Sequence, residues 1–256
     1  MPAPSHHLTS TIHRTLRLPQ NFLTTLNYDD VVNAIQETGL TPRGGFHPGS
    51  KDKVPDVLPQ KPCATLVLVG NAGPEMWRRF AASPERNLPV DPLNTFSRRI
   101  VGELAQRLGA KAMYPFTGPP FLPFLAWAQK AEPVWPSPIG PLIHAEYGLW
   151  HAYRGALAFS SRLDLPPMQS AERPCDACVD RPCLTTCPVE AFTDSGYDVP
   201  RCVAHVVSPS GTECLTGGCL ARRACPIGRE YAYPAEQAEF HTRAFVEANK
   251  KRKKSM

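Results

Sequence analysis

Eight of the nine cysteines of this 256-residue chain lie between Cys175 and Cys225, and that crowding constrains the chain more than any other feature. The first four are Cys175, Cys178, Cys183 and Cys187, the last followed by Pro188; the next four are Cys202, Cys214, Cys219 and Cys225, the last followed by Pro226. Thiolates are soft donors that suit iron–sulfur clusters or zinc, not magnesium or calcium. Four-thiolate zinc sites usually pair two C-x2-C knuckles, whereas Cys175–Cys178 is the single knuckle here. Each proline after a cysteine fixes φ and removes an N–H, which turns the chain away and lays apolar surface beside the sulfur. Gly217 and Gly218 let the backbone come close to a bulky group. The expectation is two 4Fe–4S clusters and electron transfer, with zinc or disulfides as the alternatives.

Disulfides belong to secreted proteins, and residues 1–20 hold no apolar stretch of the kind a secretory leader needs. No run of eighteen apolar residues is present, so no membrane span and a cytoplasmic location are expected. An apolar share of 42% supports a real core, while 29 prolines predict short elements and many loops. The net charge of +5 is supplied by one run, Lys250, Lys251, Arg252, Lys253 and Lys254. Such a run is ordinarily a solvated end. Contact with nucleic acid is the sharper reading, but nothing else in the chain supports it, and nucleic acid is not expected as a partner.

The front of the chain reads as α+β. Val31, Val32 and Ile35 predict a helix over 29–37 with Gly39 as its stop. Residues 41–61, rich in Pro, Gly and Lys, read as a long loop. Residues 65–69 form an apolar run that predicts a buried strand. Asp91-Pro92 opens a helix, carried by Phe96, Ile100, Leu104 and Leu108 and closed by Gly109. A strand is expected over 112–116, a helix over 121–130, and one or two strands over 139–159 with the bend at Tyr147-Gly148. Gly70-Asn71-Ala72-Gly73 lacks the full dinucleotide fingerprint and the P-loop lysine, so it reads as a strand-to-helix turn.

Two segments resemble the cobalamin-processing CblC-type enzymes. One runs from Ala64 through Gly70, Pro74 and Met76 to Trp77 and on to Asp91-Pro92; the other contains Ile143-His144, Gly148, Trp150, Arg154 and Gly155. The family's proline after the histidine is Ala145 here. The resemblance covers roughly residues 40–160 and implies a flavin-nitroreductase-like fold that holds cobalamin. His144, Gly148, Trp150 and Arg154 would then contact the corrinoid or a thiol co-substrate, with Arg154 matching the arginine that meets glutathione. The cysteine segment resembles bacterial ferredoxins, whose last cysteine of each run serves the other cluster. That resemblance implies one cluster on Cys175, Cys178, Cys183 and Cys225 and another on Cys187, Cys202, Cys214 and Cys219. Epoxyqueuosine reductase and reductive dehalogenases also place a nitroreductase-like cobalamin domain before a dicluster module. The implied division is an extension over 1–26, a corrinoid-binding domain over 27–165, a dicluster module over 166–235 and a helical basic tail over 236–256. A flavoprotein or ferredoxin is the implied electron donor, and a homodimer is possible.

Three destinations for the electrons follow: the cobalt of a corrinoid that loses its upper ligand, which is the leading expectation; a protein partner, in a ferredoxin-like carrier; or an organic substrate, in a cobalamin-dependent reductase. Ordinary roles compete at individual residues. His144 could be a satisfied strand histidine, Arg154 a guanidinium stacked on aromatics, and Glu146 an exposed carboxylate rather than a proton donor. Trp127 and Trp135 read as packing, Cys63 as a small hydrophobe, and His205 as a bystander rather than a ligand.

Overall fold

A computed structural model describes residues 26–193 and 196–254; most of the expected N-terminal extension lies outside them. Helix α1 (Tyr28–Glu37) begins with a reciprocal cap. The Asn27 side chain accepts from the N–H of Asp30 at 2.9 Å, and the Asp30 carboxylate accepts from the N–H of Asn27 at 3.0 Å. Val31, Ala34 and Ile35, one helical turn apart, are its buried face.

The central strand is β2 (Thr65–Ala72). Its side chains alternate between two cores, which explains an apolar run without visible alternation. Val67 and Val69 pack with α2 (Glu75–Ala81) and α3 (Pro92–Leu108), through Met76, Trp77, Phe80, Phe96 and Val101. Leu66 and Leu68 pack on the other face with α4 (Phe124–Ala131), through Phe124, Trp127 and Ala128. The sheet is antiparallel in the order β1-β2-β6-β3, with β1 (Thr41–Phe46), β3 (Lys111–Met113) and β6 (His151–Phe159). The architecture is mixed α/β, with helices on both faces of that sheet.

Three expectations change. The loop expected over 41–61 begins as strand β1, which pairs with β2 through a register shift between Pro42 and Gly45. Pro and Gly are tolerated there because β1 is an edge strand and the irregularity takes up the extra residue. Asp91 occupies the cap position of α3, but its φ is +47° and its side chain makes no capping bond; Pro92 and the left-handed Gly109 mark the two ends. The 139–159 region divides as expected around Gly148, but β5 (Leu142–His144) pairs with β4 (Val134–Pro136) instead of joining the central sheet.

The cysteine-bearing segment is made of short pieces: α5 (Pro182–Thr185), the hairpin β7 (Phe192–Thr193) and β8 (Gly196–Tyr197), α6 (Val199–Val206), α7 (Thr212–Gly217) and α8 (Leu220–Arg223). Helix α9 (Ala235–Lys254) then returns across both parts of the molecule. Its Val246 packs with Cys214 and Val206, while its Phe240 meets Trp77 and Phe80 at ring distances of 5.3 and 5.4 Å. Among the described residues no helix is long and apolar enough to cross a membrane.

Candidate functional site: two rings of thiols

The eight cysteines divide by cavity, not by sequence order. Cys175, Cys178, Cys183 and Cys225 line one small cavity together with Pro138, Ile143 and Ile227. Cys187, Cys202, Cys214 and Cys219 line a second, of about 390 Å³, with Ile139, Trp150, Arg222 and His205 among its walls. Cys187 follows the first three cysteines in sequence yet lies in the second ring, and Cys225 belongs to the first. One apolar core joins the rings: Ile139, Ile143, Leu149 and Ala221 pack against Cys175, Cys183, Cys187, Cys219 and Cys225. Among the described residues no three Cys, His, Asp or Glu side chains close on a single point as the ligands of one ion would. A zinc ion needs its thiolates within about 2.3 Å of one centre; these thiols surround volumes.

Burial pushes the thiols of Cys175, Cys183, Cys202, Cys214, Cys219 and Cys225 above the usual cysteine pKa. Thiolates at these positions need positive charge beside them, which a bound metal centre supplies. Donors already aim at the sulfurs of the second ring. The Ala191 N–H reaches Cys187 Sγ at 3.3 Å. Backbone N–H groups of Ala221 and Arg222 point at Cys219, that of Leu220 at Cys214, and the Tyr197 hydroxyl at Cys202. Four thiols, apolar walls and N–H···S donors fit a cubane cluster.

The rings are held to the front of the molecule by a backbone crossing. Gly148 has φ +55°, and a Cβ there would lie 2.0 Å from the carbonyl oxygen of Ile227; a Cβ on Gly228 would lie 2.4 Å from the carbonyl carbon of Tyr147. Two glycines therefore allow the chain before β6 to touch the chain just after Cys225-Pro226. His144 serves the same turn: its Nδ1 accepts from the N–H groups of Glu146 and Tyr147 at 3.0 and 3.1 Å, and its ring stacks on Tyr147. Trp150 is buried against Arg222, whose guanidinium lies 4.6 Å from the Trp150 ring and donates to the carbonyl of Leu149. Arg154 points elsewhere, donating to Ser97 Oγ at 2.9 Å and Asn94 Oδ1 at 2.7 Å beside a separate cavity. Trp150 thus lines the second thiol cavity and Arg154 a different one, while His144 and Gly148 sit in the crossing. The four residues matched to the corrinoid site do not surround one space.

Other expectations resolve simply. Glu146 accepts from the Tyr231 hydroxyl. Trp127 is core, with its Nε1 donating to Asp52 O at 2.8 Å, and Trp135 packs on the apolar core between the rings. Cys63 is buried with its thiol pushed up to about 11 by desolvation, and its Sγ donates to Thr65 O.

A buried polar network went unread in the sequence because its members come from distant strands. Arg43 of β1, with no exposed surface, pairs with Glu132 at 2.6 Å, also donates to Asn71 O, and approaches His151 Nδ1 at 3.1 Å. The Tyr153 hydroxyl donates to Glu132. Burial, then the Arg43 charge, lowers His144 to about 4 and His151 to about 2. Burial raises the Tyr153 hydroxyl. Tyr153 and His151 line an open cavity of about 610 Å³, which shares Pro141 with the wall of the second thiol cavity.

No protein-family model matches this chain, and no curated protein sequence matches it. It is similar to the structure of epoxyqueuosine reductase from Streptococcus thermophilus, at 18% identity and a TM-score of 0.48, over 80% of this chain and 67% of that one. It is also similar to the crystal structure of epoxyqueuosine reductase with a tRNA-Tyr epoxyqueuosine-modified tRNA stem loop, at 16% identity and a TM-score of 0.48, over 81% of this chain and 66% of that one. The chain thus spans about two thirds of the length of each.

Two measurements check this geometry. Gly148→Ala forces a methyl group into the Ile227 carbonyl and separates the thiol rings from the front sheet; limited proteolysis should cut between residues 160 and 175 at least tenfold faster than in the wild type, on the order of the ~1.4 kcal/mol that a tenfold shift in opening represents. His144 and His151 are neutral when folded, and their pKa values lie below those of the unfolded chain. The unfolded chain therefore binds more protons as pH falls below about 6.5, and stability drops progressively from there toward about 4 and beyond. Urea midpoints between pH 7 and pH 5 should show the fall, and His144→Gln should make it shallower while the His151 contribution remains.

Proposed function

We propose that this protein is an iron–sulfur reductase with two 4Fe–4S clusters, one on Cys175, Cys178, Cys183 and Cys225 and one on Cys187, Cys202, Cys214 and Cys219. The carrying observation is the division of eight thiols into two rings of four, each around its own cavity and both against one apolar core. When bound, such clusters supply one-electron transfer, fed by a flavoprotein or ferredoxin. The chain's own residues keep water from the space between the rings, through Ile139, Ile143 and Leu149.

An organic substrate is the better-supported destination for the electrons. Reducing an organic bond consumes protons as well as electrons, and the cavity beside the second ring is lined by Tyr153, whose hydroxyl donates to Glu132, itself paired with Arg43. Reductive loss of a ligand from cobalt calls for no such group. Because His144, Gly148, Trp150 and Arg154 do not share a cavity, no step here is routed through a corrinoid. A second reading takes nucleic acid as the bearer of the substrate, favoured by the basic run at the end of α9. It reverses the expectation that nucleic acid is not a partner.

Anaerobic reconstitution should give a brown protein with about eight iron atoms per chain; a colourless protein with stoichiometric zinc would sink the reading. Cys225→Ser should remove the cluster of Cys175, Cys178 and Cys183 and leave the other's electron paramagnetic resonance signal; selective loss of the other signal would show the ring assignment to be wrong. An RNA stem loop should shift the fluorescence anisotropy of the reconstituted protein, and replacing Lys250–Lys254 by alanine and glutamine should abolish the shift; no shift with wild type removes the second reading.

A further inference from the structure

We infer that Arg222 raises the reduction potential of the cluster on Cys187, Cys202, Cys214 and Cys219, and so makes that ring the collecting end of the pair. The inference rests on the two-cluster reading and adds the direction of electron flow.

Arg222 lines the cavity of that ring and is absent from the wall of the first. A guanidinium keeps its charge under all ordinary conditions. Its Nε and Nη2 both donate to the carbonyl of Leu149, at 3.0 and 2.5 Å. The planar group lies against two aromatic rings that are themselves in edge contact, 4.6 Å from the Trp150 ring and 4.6 Å from the Tyr233 ring. These contacts fix where the charge sits without neutralising it. The contrast with its neighbours is direct: Arg223 pairs with Glu213 at 3.0 Å and Arg43 with Glu132 at 2.6 Å, while among the described residues no carboxylate pairs with Arg222. An unneutralised, partly buried cation acts through a medium of lower dielectric than water, and its field is weakly screened by salt.

A cluster gains negative charge when it takes up an electron, so a fixed cation on its wall favours the reduced form and moves the potential upward. The sulfur donors act in the same direction. In the second ring the Ala191 N–H reaches Cys187 Sγ at 3.3 Å. Arg222 contributes its side-chain charge. Arg173, beside Cys175, has a side chain 39% exposed and is already paired with Asp176. Arg181, which lines the first cavity, is exposed.

The test is a redox titration of the reconstituted full chain, with dithionite as reductant and electron paramagnetic resonance as readout. Wild type should show two reduction waves, and Cys225→Ser identifies the first ring's wave by its loss. In Arg222→Gln the remaining wave should move to more negative potential, with the first ring's wave unmoved. Arg222→Lys, which keeps the charge and loses the paired hydrogen bonds, should restore most of the shift. Thr242→Glu places a carboxylate on the same cavity wall and should lower the same wave without touching Arg222, so the test stands even if Arg222→Gln loses its clusters. Unmoved waves in Arg222→Gln and Thr242→Glu would overturn the inference, as would a lysine variant that shifts as far as glutamine, or movement confined to the first ring's wave. Absence of two waves from the wild type would overturn the two-cluster reading itself, before any variant is compared.

Discussion

The contact between Gly148 and the Ile227-Gly228 peptide is the constraint on which the arrangement of the molecule depends. At this crossing two backbones meet with no side chain between them. It brings the segment after Cys225-Pro226 against the turn that leads into β6, the longest strand of the sheet. Around it, His144 fixes the turn by accepting two backbone N–H groups, and Trp150 holds Arg222. Helix α9 closes the far side, with one part of its length on the thiol module and Phe240 on Trp77 and Phe80. The rings of thiols are short, irregular pieces of chain, and their shape is borrowed from a sheet buried on both faces.

The second constraint is electrostatic. A fully buried Arg43 would be intolerable alone, and Glu132, Asn71 O and the faces of Tyr147 and Tyr153 surround it. Breaking such a pair from one side is strongly destabilising, whereas forming it adds little net stability. Its retention beside an open cavity is better explained by what it does to the groups around it. Burial lowers His144 and His151 first, the Arg43 charge lowers them further, and Glu132 accepts from the Tyr153 hydroxyl. The same protein thus keeps one arginine neutralised, near the cavity lined by His151 and Tyr153, and another without a carboxylate partner among the described residues, beside a cavity lined with thiols.

What was legible in the sequence was local. Helix α1, the buried strand β2, the proline and glycine at the ends of α3 and the bend at Gly148 all depend on residues close in the chain. Strand β1 was read as loop because its Pro and Gly residues speak against a strand, and only pairing with β2 makes it one. The 143–155 segment stood out by resemblance to a corrinoid site. In the structure three of its four marked residues take part in docking the thiol module, and the fourth faces another cavity. Arg43 and Arg222 gave no signal at all. A buried cation looks like any surface arginine until its distant partners, or their absence, are known.

The interleaving of the rings has a consequence for how the chain is made. Cys187 is synthesised with the first group of cysteines but lines the later cavity, and Cys225 emerges last but lines the earlier one. The ring of Cys187, Cys202, Cys214 and Cys219 is therefore the first to have all its sulfurs outside the ribosome, while Cys175, Cys178 and Cys183 wait for their fourth. The order in which the two rings are completed is written into the chain, and the Gly228 crossing, directly after Cys225, closes over the ring completed last.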